Sequence, residues 1–321
     1  MNSILNPDLY HGKNKHNYFF EGWYFKLTDT KEDLSIALIP GIIKGKNQHS
    51  FIQYVNGASK SFKYFTFSHK DFISSDKAFN INIAGNYFSL EGIKINLQDK
   101  EQSIALDLQF NNIVRWPDSH INPGSMGFYN YLTFMECYSQ VSAIDGYASG
   151  TILINEKEYK LTNSKIYIEK NWGKKFPYSW FWFQCNTFSQ KDLALTCSIA
   201  HIPFPIYSFR GFLAAFRYKD EVITFTTMKR SKLTITKGED SLSFRLTNRN
   251  YELIIEPNSK DEDFLLLHSP DGEAMKPDVL ESIVSEIRVT LKEKSTGKIL
   301  AEDTGMKAGI EYGGNYKELF D

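Results

Sequence analysis

Apolar residues in this chain recur with period two over short runs, and turn residues separate the runs at near-regular intervals. Segments 34–43, 51–55, 62–67, 79–83, 87–90, 92–97, 103–110, 129–144 and 148–154 are rich in Ile, Phe, Tyr and Thr and read as β-strands. A second series follows at 193–201, 211–218, 221–228, 232–236, 242–247, 251–256, 283–293 and 298–302. Gly85-Asn86, Asp220-Glu221, Gly238-Glu239 and Gly297-Lys298 mark hairpin turns. No stretch before residue 275 has helical periodicity, and 277–285 suits at best a short turn of helix. So many short strands predict an all-β chain built as barrels or sandwiches.

Two aromatic blocks break this uniformity. The first is Phe19-Phe20-Glu21-Gly22-Trp23-Tyr24-Phe25-Lys26-Leu27. The second runs Glu169-Lys170-Asn171-Trp172-Gly173, then Phe176-Pro177, then Trp180-Phe181-Trp182-Phe183-Gln184-Cys185-Asn186. Trp23 and Trp180 are 157 positions apart, about one domain length, and each opens a strand-rich series. This spacing predicts two β domains, residues 1–160 and 161–321, dividing near 156–163.

Alternation assigns faces. Glu21, Trp23, Phe25 and Leu27 share one face of the first block. Trp180, Trp182, Gln184 and Asn186 share one face of the second, opposite Phe181, Phe183 and Cys185. If 129–144 is a strand, Glu136 lies beside Leu132, Phe134 and Tyr138. A carboxyl held against rings is disfavoured as an anion, so its pKa rises and it can act as an acid near neutrality. The same residues also suit structural roles. Glu21 can accept backbone amides at a barrel rim, Glu169 can form an exposed ion pair with Lys170, and Trp172 beside Gly173 can be a packing corner.

Composition narrows the function classes. The 321 residues carry 37 basic and 38 acidic side chains for a net charge of −1, with no run of one sign, which predicts no nucleic-acid footprint. No segment approaches the run of about 20 apolar residues of a spanning helix. The start of the chain has no apolar run of the secretory kind. The three cysteines fit no metal or redox spacing, so a reducing, cytoplasmic setting is expected, with Cys185 and Cys197 as unbridged core neighbours. The seven histidines form no His-x-His or His-x-x-x-His pair, and no glycine-rich phosphate loop or nucleophile elbow exists. No metal and no cofactor are therefore expected. Among the histidines, His11, near the first aromatic block, is the candidate to watch.

These segments together resemble the tocopherol cyclase family. The resemblance runs through Tyr10-His11-Gly12, Phe19 to Lys26, Pro123-Gly124-Ser125-Met126-Gly127 and Phe134-Met135-Glu136-Cys137-Tyr138. It continues through Tyr167 to Gly173, Phe176-Pro177 and Trp180 to Asn186, and ends at Gly309-Ile310-Glu311-Tyr312-Gly313-Gly314. It implies two lipocalin-like antiparallel β-barrels, akin to the carotenoid hydratase. It further implies cofactor-free closure of a prenylated hydroquinol to a chromanol, by protonation of an alkene and capture of the tertiary cation by a phenolic oxygen. That chemistry needs an acid, aromatic faces for the cation and a dry pocket. Glu21, Glu136 and Glu169 are the matching acids. Trp23, Tyr24, Trp172, Trp180 and Trp182 supply ring walls, and Gln184 and Asn186 can orient a hydroxyl. The expected partner is a hydrophobic small molecule: an isoprenoid, a prenylquinol or a lipid. A non-catalytic lipid binder would need the same rings with structural glutamates. Glu21 or Glu136 lining a continuous apolar cavity keeps the enzyme reading, whereas both acids paired with Lys or Arg outside any pocket ends it and leaves the binder.

Overall fold

A computed structural model describes residues 3–203, 208–239 and 241–320. Among the described residues the regular elements are antiparallel strands and short 3-10 turns. Among the described residues no helix is long and apolar enough to cross a membrane. Contacts divide the chain into two compact units. One takes the chain up to Phe176 together with Ser269–Lys276, and the other takes Pro177–His268 and the chain from Pro277 onward.

The first unit is a twelve-stranded sheet curled around its own core. Its first strand, Phe19–Asp29, lies between Leu34–Lys44 and Lys157–Gly173, so first and last strands are neighbours. Trp23, Phe25 and Leu27 point into the core, and Ile168 and Ile166 stand opposite Phe25 and Leu27. The alternate residues Tyr24, Lys26 and Thr28 are buried as well, so both faces of this strand are covered.

The predicted boundary at 160/161 falls inside the strand Lys157–Gly173. Residues 165–173 of that strand pair position by position with Phe20–Thr28. Cutting there would strip a central strand from the first sheet, and the unit extends to Phe176 instead. The predicted strand over 129–144 also differs. Gly127–Tyr131 is a 3-10 turn and the strand begins only at Cys137. Gly124 and Gly127 adopt positive φ, and the Asn130 side chain donates to the Pro123 carbonyl at 2.6 Å, which folds this segment back on itself.

The second unit is a ten-stranded sheet, and again its first strand, Ser179–Cys185, pairs with its last, Ile299–Gly314. The stretch read as a helical turn, 277–285, belongs to the strand Ala274–Glu293. Register shifts between Ser282 and Ser285 and between Ser285 and Ile287 break the period-two pattern there. Phe181, Phe183 and Cys185 enter the second core, as alternation predicts, and Cys185 and Cys197 are free and buried in it.

Trp180, Trp182 and Gln184 occupy the opposite face of that strand and are buried, as is Asn186 just past its end. Opposite them, Gly313 pairs with Trp180 and Gly309 with Gln184, flanking Glu311. A methyl group on Gly313 would collide with the Trp180 ring, and one on Gly309 with the Trp182 ring. Gly309 and Gly313 are thus beds for two indoles. Gly313→Ala is expected to destabilise the protein by about 1–3 kcal/mol through overpacking. Gly22→Ala, where the added methyl meets only the Pro40 carbonyl at 3.8 Å, is the near-neutral control in urea unfolding.

Candidate functional site

In the first unit, cross-strand register sets Glu21 opposite Trp172 and Trp23 opposite Lys170 on the inward face. Lys170 reaches diagonally to Glu21, and the two side chains, both fully buried, form a hydrogen-bonded ion pair. Tyr10-His11-Gly12 folds over them. The His11 backbone N–H donates to Glu21 Oε2 at 2.8 Å, and His11 Nδ1 lies 3.3 Å from both Glu21 Oε1 and Lys170 Nζ. Lys170 also donates to the Leu9 carbonyl at 2.8 Å. His11 Nε2 is 3.3 Å from the Ser3 carbonyl, which favours the Nε2–H tautomer and leaves Nδ1 to accept from Lys170.

Aromatic rings wall this cluster. The His11 ring stacks on Trp172 with centroids 4.0 Å apart and planes 9° from parallel, and Tyr138 stacks on Trp172 at 5.4 Å. Lys170 Nζ lies 5.1 Å from the Trp23 ring and 4.9 Å from the Trp172 ring, both cation–π contacts.

The electrostatics differ from the sequence expectation. Burial pushes the Glu21 carboxyl up, as rings around an acid should, but Lys170 and His11 outweigh it and hold Glu21 below the ordinary carboxylate range. Burial lowers the Lys170 ammonium against the pull of Glu21. His11 is lowered by burial and by Lys170. Near neutrality the cluster therefore holds an ionised Glu21 and a neutral His11 beside a Lys170 that gives up its proton more easily than usual.

Both the His11 and Glu21 shifts act the same way on stability. Unfolded chain takes up protons on His11 below about pH 6.5 and on Glu21 below about pH 4.5, before the folded cluster does. Their contribution is complete above about pH 6.5 and shrinks on acidification. Urea unfolding at about pH 7.5 and about pH 5 is expected to show a lower midpoint at pH 5, with the drop reduced in His11→Gln. An equal drop in that variant would remove His11 from this account.

The remaining sequence-predicted residues divide. Tyr24 and Glu169 face each other across the pair Phe19–Asp29 and Lys157–Gly173, on the face opposite Glu21. Glu169 accepts from the Tyr167 hydroxyl at 2.5 Å and from Asn171 at 3.3 Å. Lys170, its sequence neighbour, points to the other face, so the exposed Glu169–Lys170 pair does not form. Glu136 lies outside the strand on a part-exposed surface, 3.5 Å from Lys175, and not on an apolar face. In the second unit, Trp180 donates to Glu311 at 2.8 Å. Both polar atoms of the Gln184 amide are buried without a hydrogen-bond partner among the described residues. A cavity of about 220 Å³ in that unit is lined by Tyr312, Tyr316, Phe320 and Lys237, and by none of the predicted site residues.

Lys170 and Tyr10 were not singled out by the sequence reading, whereas His11 was. Their positions were carried by motifs that the resemblance quoted, but no local pattern ties residues 149 apart into one contact.

Fold and site together define a two-domain, lipocalin-like β protein with a buried charged cluster among rings. The family model described as Tocopherol cyclase-like matches residues 87–314, and the chain belongs to that family. A probable chloroplastic tocopherol cyclase from Oryza sativa subsp. japonica is 29% identical over 192 residues, covering 56% of this chain and 40% of the relative. A chloroplastic tocopherol cyclase from Zea mays is 25% identical over 191 residues, with the same shares covered. The match thus spans two-fifths of these relatives' length. Among solved structures, kievitone hydratase from Nectria haematococca aligns with a TM-score of 0.50 at 11% identity, covering 95% of this chain and 94% of its own. CghA aligns with a TM-score of 0.59 at 7% identity, covering 93% and 89%. At these identities the likeness concerns the fold. Glu136, Glu169, Lys170 and Trp172 fall inside the family match, while His11 and Glu21 fall outside it.

Proposed function

We propose that this protein binds an apolar isoprenoid or prenylated quinol and closes it to a cyclic ether by proton transfer. The observation that carries this reading is the Glu21–Lys170–His11 cluster, buried between the rings of Trp23 and Trp172. Family membership supports this choice of substrate class.

Ionised Glu21 is a poor proton donor, so the simple picture of a protonated carboxyl is replaced by a shared proton. The acid is the Lys170 ammonium, weakened by burial as a proton holder, with Glu21 and His11 relaying the proton. The proton adds to the alkene, and the tertiary cation forms against indole faces suited to it by their quadrupole. The substrate's phenolic oxygen captures the cation and releases its own proton, which returns to the cluster. One proton enters and one leaves, so the reaction is a net isomerisation and consumes no co-substrate. Glu169 and Glu136 have no part in this route.

A second reading has its own observation. Glu21 and Glu136 are both paired with lysines, the arrangement a binding protein with structural charges would show. Incubation of the protein with a prenylated hydroquinol, followed by mass spectrometry and chromatography for the chromanol, separates the two. Chromanol above the rate of the protein-free control supports the enzyme. Stoichiometric binding with no conversion leaves the binder.

A further inference from the structure

Among the described residues, two polar hydrogens in the first unit find no partner. The Trp23 indole N–H is fully buried, the Tyr10 hydroxyl is buried too, and neither atom has a hydrogen-bond partner among the described residues. An unmet donor in a dry interior costs about 1–3 kcal/mol, so two in adjoining rings are not accidental packing. The ring centroids of Tyr10 and Trp23 are 6.3 Å apart, and both rings touch Phe72, at 5.0 and 6.0 Å.

The Tyr10 hydroxyl is held where it is by its surroundings. Any side chain on Gly12 would collide with it, and Lys44 fixes that loop by donating to the Gly12 and Lys15 carbonyls at 2.6 and 3.0 Å. The same lysine lies 5.6 Å from the Tyr10 ring. These atoms adjoin the candidate site, since Lys170 Nζ lies 5.1 Å from the Trp23 ring.

We propose that Tyr10 and Trp23 form a recognition site for a neutral oxygen function (a phenol, alcohol or carbonyl) on a planar apolar body. An indole N–H can only donate, so its partner must be an acceptor, whereas the phenol can donate or accept. Burial, and after it the negative charge of Glu21, keeps the Tyr10 phenol protonated, and the same negative potential disfavours an anionic ligand. Phe72 and Phe79, the latter stacked on Trp23 at 6.0 Å, supply flat apolar neighbours for the ligand body. The inference rests on the proposed function only in placing this site beside the proton-transfer cluster. Tyr10 and Trp23 are positioning residues, without a proton-transfer role.

The test compares 2,3,5-trimethylphenol with 1,2,4-trimethylbenzene, the same body without its hydroxyl. Binding is followed by calorimetry and by the ¹H–¹⁵N resonance of the Trp23 indole, assigned with Trp23→Phe. The phenol is expected to bind wild type about tenfold more tightly than the hydrocarbon, the scale of one buried hydrogen bond. It should also move the Trp23 indole resonance saturably, which the hydrocarbon should not. Tyr10→Phe, checked as folded by circular dichroism, should lower the preference severalfold, to what the Trp23 N–H alone supports, and leave hydrocarbon affinity unchanged. Equal affinity for both probes, binding of neither, or a preference intact in Tyr10→Phe would overturn the assignment and leave both atoms to water. Failure here is distinct from failure of the proposed function. A phenol preference without chromanol formation sinks only the latter, and chromanol formation without the preference sinks only this site.

Discussion

Lys170→Met is expected to destabilise the protein by about 3–5 kcal/mol, among the largest losses any single substitution here should cause. Neither Lys170 nor Glu21 is exposed, and each is the other's main compensating charge. Removing the ammonium leaves an ionised carboxyl in a dry interior, with only the neutral His11 ring and the His11 backbone N–H beside it. The desolvation that Lys170 now outweighs would then dominate, and Glu21 would shift up and bind a proton. Glu21→Gln should be costly for the mirror reason, leaving a buried ammonium that must lose its proton. The double variant Glu21→Gln/Lys170→Met removes both charges and should recover much of the loss, because replacing a whole buried pair is often close to neutral. Urea unfolding of the four proteins measures the coupling directly. Additive losses would mean that the pair is not coupled as its geometry indicates.

For turnover of a prenylated hydroquinol, Glu21→Gln is expected to lower kcat about 10²–10⁴-fold with KM little changed, the range for loss of a proton-transfer partner. Glu136→Gln should leave kcat unaltered, because that carboxylate is part-exposed and paired with Lys175 away from the cluster. Loss of activity through unfolding is separated by comparing KM and by the double variant, which should be stable and yet inactive. Equal rates in wild type and Glu21→Gln would take this cluster out of the chemistry.

Glu21 among its rings was visible in the sequence, but its charge state was not. Alternation correctly set Glu21 with Trp23, Phe25 and Leu27, and correctly split Trp180 and Trp182 from Phe181 and Phe183, because side chains in any strand alternate faces. The error lay in expecting aromatic surroundings alone to raise the pKa. The counter-charge comes from Lys170, 149 residues away, and only the pairing of first with last strand brings it there. Adjacency in sequence even pointed the wrong way, since Glu169 and Lys170 stand on opposite faces for the same reason of alternation. Glu136 stands on no strand face, because the strand expected over 129–144 begins only at Cys137, after the 3-10 turn Gly127–Tyr131 that the positive-φ Gly124 and Gly127 introduce.

By itself the sequence determined the all-β architecture, the faces of its aromatic blocks and the family, since each is written in local alternation or in short motifs. Only the tertiary structure decided where the units divide, which glutamate is buried beside a lysine and a histidine, and which polar atoms are left unmet. Those are properties of strand register between distant segments, and a shift of one residue in the pairing of Phe19–Asp29 with Lys157–Gly173 would exchange Lys170 for Glu169 on the inward face.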